Sequence, residues 1–221
     1  DQYANLRLLD ITNQEAWKWY EENVIAFLVR NNIIGAKIDF CELVPDESVC
    51  YGDFSVAYHW KMPDVFKGVG VHHAYPMFFN AKFAEAIKRL AGGRADSFVF
   101  CRGGGLGCSR TAYYWAGDQV RTFPKLRDQL RGLLNSRLSA MPYMSFDLAG
   151  YIKKWKDYSL AEEERIVVRA LGFARYFPFI QTHGDVTHVY NMDESVRKAF
   201  REAVAFSAKV DRDVAPLVEF W

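Results

Sequence analysis

Short apolar runs alternate along this chain with longer helical patterns, and that rhythm constrains its fold more than any other feature. Ile33-Ile34-Gly35-Ala36-Lys37-Ile38-Asp39-Phe40 reads as a buried strand that ends in polar residues. Ser97-Phe98-Val99-Phe100-Cys101 reads the same way, and Tyr113-Tyr114-Trp115 and Pro142-Tyr143-Met144-Ser145-Phe146 are shorter strand-like runs. Helical periodicity covers Gln14 to about Asn31, roughly His73 to Leu90, Pro124 to Ser139 and about Leu160 to Tyr176, then resumes near Asp193-Glu194-Ser195. Asn13 or Thr12 can cap the first helix, whose stripe is Trp17, Tyr20, Val24, Phe27 and Leu28. Apolar strands separated by helices predict βαβ units, because a parallel neighbour is reached only through a crossover. No linker, composition shift or repeat divides the 221 residues, so the prediction is one α/β unit with a parallel sheet.

Charged residues recur at the exits of those strands. Asp39, Arg102, Asp118, Asp147 and His183 each lie at or just beyond the C-terminal end of a strand-like run. In a parallel α/β barrel that end builds the active site from several strands. Any one of these Asp residues could instead be a helix cap or turn residue. Four positions besides a His, all in one strand–helix alternation, favour a convergent acidic site. Two carboxylates on one pocket suit glycoside hydrolysis, one as nucleophile or base and the other as proton donor. Lys37 brings an ammonium close to Asp39, an environment that suits an ionised nucleophile. Trp115-Ala116-Gly117 precede Asp118, which predicts the partly desolvated setting of a general acid. The plainer alternative is an ordinary strand-end ion pair at Lys37 and Asp39, with Asp118 in a turn.

Other chemistries find less support. Net charge is 28 − 27 = +1, so no broad field attracts nucleic acid or acidic lipid. No apolar run reaches the ~18 residues of a membrane span, and Asp1-Gln2-Tyr3-Ala4-Asn5 does not read as a signal peptide. Cys41, Cys50, Cys101 and Cys108 lack metal or redox spacing, so free thiols and a reducing compartment are expected. Arg102-Gly103-Gly104-Gly105-Leu106-Gly107 fits neither phosphate-loop pattern, and its glycines instead permit a tight strand exit. His72-His73 has no metal-ligand spacing, and Gly107-Cys108-Ser109-Arg110 is not a serine-hydrolase elbow. Aromatics make up 16% of the chain; most belong to a core, but flat rings also suit sugar binding.

These segments together resemble glycoside hydrolase family 31, the retaining α-glycosidases with a TIM-barrel catalytic domain. Gly35-Ala36-Lys37-Ile38-Asp39-Phe40-Cys41-Glu42 is similar to the family's nucleophile segment, which implies that Asp39 attacks the anomeric carbon. Tyr114-Trp115-Ala116-Gly117-Asp118-Gln119 resembles the acid/base segment, which implies that role for Asp118 and a sugar-facing wall for Trp115. Arg102 matches the family arginine that contacts the sugar, and Ser145-Phe146-Asp147-Leu148-Ala149-Gly150-Tyr151 resembles the segment whose Asp binds sugar hydroxyls. Thr182-His183-Gly184 matches the late sugar-binding histidine, and Lys37 joins the implied substrate contacts. Phe146 stands where His is common and Ala149 where Gly is common. Lys37 resembles the α-xylosidase-type branch, whereas Trp-Ala-Gly-Asp-Gln also occurs in sulfoquinovosidase-like members.

The resemblance implies exo-acting hydrolysis of a terminal α-linked sugar by double displacement, with no metal or organic cofactor. A transglycosylase, or a carbohydrate-binding homologue without turnover, would use the same residues. Only about five strand positions are visible where a barrel needs eight. The expectation is therefore a segment of the barrel covering roughly strands 4–8. Strands 1–3 and an N-terminal β-sandwich would lie upstream, and the rest of the polypeptide would close the barrel. The long stretch between Cys41 and His72, with Tyr58, His59 and Trp60, is expected to line a subsite.

Overall fold

The computed structural model describes residues 8–44, 49–50, 66–67, 69–94, 96–105, 107–151, 159–183 and 188–218. Tyr58, His59 and Trp60 lie outside them. The chain divides into two units, Asp1–Tyr114 and Trp115–Trp221, each with its own packing.

In the first unit, helix α1 (Gln14–Tyr20) begins where the sequence placed it. Asn13 is the cap, its side chain accepting from the amides of Glu15 and Ala16 at 3.0 Å. A π-helical turn at Glu21–Ile25 then joins α1 to α2 (Ala26–Arg30). A π-turn advances the helical face by one residue. This explains a departure from the expected stripe: Ile25 is fully buried and Phe27 is 54% exposed.

Strand β1 (Gly35–Ile38) follows, then a short antiparallel pair of β2 (Val49–Cys50) and β3 (Phe66–Lys67). Helix α3 (Val69–Leu90) starts four residues earlier than the expected His73, so Pro76 falls inside it rather than in its first turn. Its Tyr75, Phe79 and Phe83 stack in sequence at centroid separations of 5.8 and 6.2 Å, and Trp17 and Tyr20 abut Phe79. Much of the aromatic excess thus serves packing. Strands β4 (Phe98–Cys101) and β5 (Tyr113–Trp115) complete the parallel pattern, Ile38 lying opposite Cys101 and Phe100 opposite Tyr113.

In the second unit, α4 (Phe123–Leu138) is capped by Thr122, strand β6 (Met144–Ser145) follows, and α5 (Leu160–Ala174) opens with a Ser159–Glu162 capping box. Ile166, Val167, Ala170, Leu171 and Ala174 recur at helical spacing on α5 and form one core with Val196 and Ala203 of α6 (Glu194–Val218). The Ala116 amide donates to the Ser145 carbonyl at 3.0 Å. The apolar stretch from Phe177 to Ile180 forms no described strand; a parallel bridge between Asp147 and Gln181 marks its end. Burying the apolar faces of α5 and α6 stabilises this unit at roughly 25 cal/mol per Å² of apolar surface.

Candidate active site

Strand register builds the first cluster. Because Ile38 pairs with Cys101 in a parallel ladder, the next residues out are Asp39 and Arg102, about one strand spacing apart. The Arg102 amide reaches back to the Ile38 carbonyl at 3.4 Å. The Asp39 carboxylate lies between two cations, with Lys37 Nζ 3.3 Å from Oδ2 and an Arg102 terminal nitrogen 3.3 Å from Oδ1. The Phe40 amide also donates to Oδ1 at 2.9 Å. Phe40 adopts a left-handed conformation with φ 64°, and its ring lies 4.4 Å under the Arg102 guanidinium. Arg102 Nε donates to Glu42 Oε1 as well, so one guanidinium bridges two carboxylates. Burial, then the charges of Glu42 and Asp39, push the Cys41 thiol up to about 12. It stays protonated beside the site.

Glu42 and Asn80 were not singled out from the sequence. Asn80 is fully buried on α3, and its amide donates to the Gly103 carbonyl at 2.9 Å and to the Tyr114 hydroxyl at 3.2 Å. It thereby holds the loop that begins at Arg102. Gly103 is required there, since a Cβ would meet the Glu42 backbone nitrogen at 2.8 Å. The Glu42 signal lay in the strand-exit segment, three residues after Asp39; Asn80 gave no signal on a helix read only for periodicity.

The second unit carries the remaining predicted residues. Asp118 sits on the loop after β5 and is exposed, so the expected desolvation by its preceding residues is not observed. Trp115, expected as a sugar-facing wall, is instead 1% exposed, because the last residue of β5 points into packing. Asp147 is likewise fully buried, with the Gln181 amide donating to its Oδ1. The bridge register explains this contact, which puts the two side chains next to each other. His183 is half-buried and meets the Tyr151 ring edge-on at 4.4 Å. Thus Lys37, Asp39 and Arg102 come together in one unit, and Trp115, Asp118, Asp147 and His183 all belong to the other. Ala149 has φ 64°, the conformation for which glycine is the unstrained residue.

A cavity of about 280 Å³ lies beside α4, lined by Gln119, Gln129, Leu133 and Met144 among others, and includes neither Asp118 nor Asp147. Among the described residues no three His, Cys, Asp or Glu side chains are placed to hold a metal. The thiols of Cys41, Cys101 and Cys108 are free. Among the described residues no helix is long and apolar enough to cross a membrane.

Residues 3–209 match the Glycosyl hydrolases family 31 TIM-barrel domain. The chain belongs to glycosyl hydrolase family 31. Among family members, it is 27% identical over 183 residues to an isomaltosyltransferase of Sporosarcina globispora, covering 83% of this chain and 15% of that protein. An α-xylosidase of Emericella nidulans is 24% identical over 165 residues, 71% of this chain and 20% of that one. The fold is that of a family 31 sulfoquinovosidase from E. rectale, solved with the aza-sugar inhibitor IFGSQ. There the TM-score is 0.72 at 23% identity, covering 95% of this chain and 30% of that chain. The α/β, parallel-sheet reading and the family resemblance both hold. The chain spans between 15% and 20% of the length of the two curated relatives.

Proposed function

We propose that this chain supplies the catalytic carboxylates of a retaining α-glycosidase. The observation that carries this reading is Asp39, held at a strand exit between Lys37 and Arg102 within a family 31 barrel domain. Asp39 attacks the anomeric carbon and forms a glycosyl–enzyme ester, while Asp118 protonates the departing oxygen. Asp118 then takes a proton from water, which attacks the same carbon and releases the sugar with its configuration retained. This double displacement requires a separation of about 5–5.5 Å between its two carboxyl groups. Lys37, Arg102 and His183 contact the sugar, while Trp115 and Asp147 stay buried. The remaining barrel strands come from the rest of the polypeptide, since an open half-barrel would leave sheet edges bare.

An acceptor sugar in place of water gives transglycosylation through the same intermediate. That second reading draws on the isomaltosyltransferase relative. The test is turnover by the full-length protein on aryl α-xyloside, α-glucoside, α-galactoside and α-sulfoquinovoside, with product anomers followed by NMR. Asp39→Ala and Asp118→Ala are each expected to remove most activity and the wild type to release the α-anomer first. Near-normal turnover in either variant, or first release of the β-anomer, overturns the proposal.

A further inference from the structure

Asp118 stands exposed on the loop that leaves β5, so its placement depends on what fixes that loop at either end. On the entry side Trp115 is buried, and the Ala116 amide donates to the Ser145 carbonyl at 3.0 Å. On the far side, three residues after Asp118, the Arg121 side chain goes inside and is 1% exposed. Its guanidinium donates to the Gly150 carbonyl at 3.3 Å and lies 3.5 Å from Glu163 of α5. The backbones meet at the same place: a Cβ on Gly150 would come within 2.8 Å of the Gln119 carbonyl and 3.2 Å of the Arg121 amide nitrogen.

Gly150 belongs to a turn that is itself fixed at the exit of β6. Its amide donates to the Asp147 carbonyl at 2.8 Å, and the Leu148 amide donates to the Gln181 carbonyl at 2.8 Å. The Gln181 side chain donates in turn to the buried Asp147 carboxylate. Arg121 therefore ties the loop of Asp118 to a frame at the neighbouring strand exit. A general acid must stay within hydrogen-bond reach of the departing oxygen, and a misplacement of about 1 Å can cost about 100-fold. We propose that Arg121 is a positioning residue for Asp118: by engaging the Gly150 carbonyl and Glu163 it fixes the far end of the loop, and with it the proton donor. This rests on Asp118 being the acid, the reading proposed above.

The test compares Arg121→Met, Arg121→Lys and the double variant Arg121→Met/Glu163→Leu with wild type and Asp118→Ala, all in the full-length protein. Each is assayed on the methyl α-glycoside and the α-glycosyl fluoride of the sugar that the four-substrate screen turns over. The methoxy group needs a proton to depart and fluoride needs little. The ratio of the two kcat/KM values within one variant is independent of how much of it is folded. Arg121→Met should lose about 100-fold on the methyl glycoside and under about 10-fold on the fluoride. Arg121→Lys keeps a cation beside Glu163 but not the planar fork, and should show the same selective loss to a smaller degree. The double variant removes both charges yet supplies no donor to Gly150, so its selective loss should persist. Equal losses on both substrates in the arginine variants, or a wild-type ratio in the double variant, overturn the positioning role. Equal losses on both substrates in Asp118→Ala would overturn the acid assignment instead, so the two failures read out separately.

Discussion

Arg121 and Glu163 form an ion pair inside the second unit, and its removal has a calculable consequence. Arg121 is 1% exposed and Glu163 6%, with 3.5 Å between them, and Arg121 also donates to the Gly150 carbonyl at 3.3 Å. Burial pulls the Arg121 pKa down while the Glu163 carboxylate pushes it back up. Glu163→Ala removes a buried carboxylate 3.5 Å from the guanidinium without returning the arginine to water. Breaking such a buried pair costs about 3–5 kcal/mol, against about 0–1 kcal/mol for an exposed one. For a domain of this size that corresponds to a fall in Tm of roughly 6–20 °C. Replacing both charges, as Arg121→Met with Glu163→Leu, should recover most of the loss because the desolvation cost disappears with them. The assay is urea and thermal unfolding of wild type, both single variants and the double variant, at low and at high salt. The single-variant losses should persist in high salt, since buried charges are poorly screened. A single-variant loss below about 1 kcal/mol, or losses that simply add in the double variant, would refute the reasoning.

Three further outcomes follow from local geometry. Ala149→Gly should stabilise the protein by up to about 1 kcal/mol, the left-handed strain relieved less the entropy glycine adds to the unfolded chain; a lower unfolding midpoint would show that φ 64° is not strained there. Gly150→Ala should destabilise by more than about 1 kcal/mol, since φ is +96° and a Cβ would meet the Gln119 carbonyl at 2.8 Å; an unchanged urea midpoint would contradict it. Burial holds the Cys41 thiol protonated, moving it from 9.0 to about 12. The unfolded chain sheds that proton near pH 9 while the folded chain keeps it. Stability from this group is therefore complete below about pH 9 and lost as pH rises toward 12. Urea midpoints measured at pH 7, 9 and 10.5 should fall less steeply in Cys41→Ala, and equal slopes would count against the buried thiol.

The sequence announced its strands well because β1 and β4 are apolar runs with polar exits, and parallel register then forces Asp39 beside Arg102. It could not announce the π-turn at Glu21–Ile25, which changes no residue type yet rotates the helix face and turns Phe27 outward. The apolar stretch from Phe177 to Ile180 precedes His183, yet the described bridge falls on Gln181 just after it. In the site, Glu42 stood in plain view within the nucleophile segment but had no role until Arg102 was seen to bridge it to Asp39. The Arg121–Glu163 pair spans 42 positions, a separation that periodicity and short motifs do not sample. The depth of Trp115 and Asp147 was equally hidden, since side-chain burial at a strand end depends on what packs over it.

The central claim is that Asp39 is the nucleophile, and trapping tests it most directly. The full-length protein would be treated with a fluorinated α-glycosyl fluoride that forms the glycosyl–enzyme but hydrolyses slowly, then digested and mapped by mass spectrometry. The account predicts one added glycosyl mass on the peptide carrying Asp39, absent from Asp39→Ala and formed in Asp118→Ala, because a fluoride leaving group needs little protonation. A label on any other carboxylate, or rapid turnover of the reagent with no label on the Asp39 peptide in any variant, would contradict it.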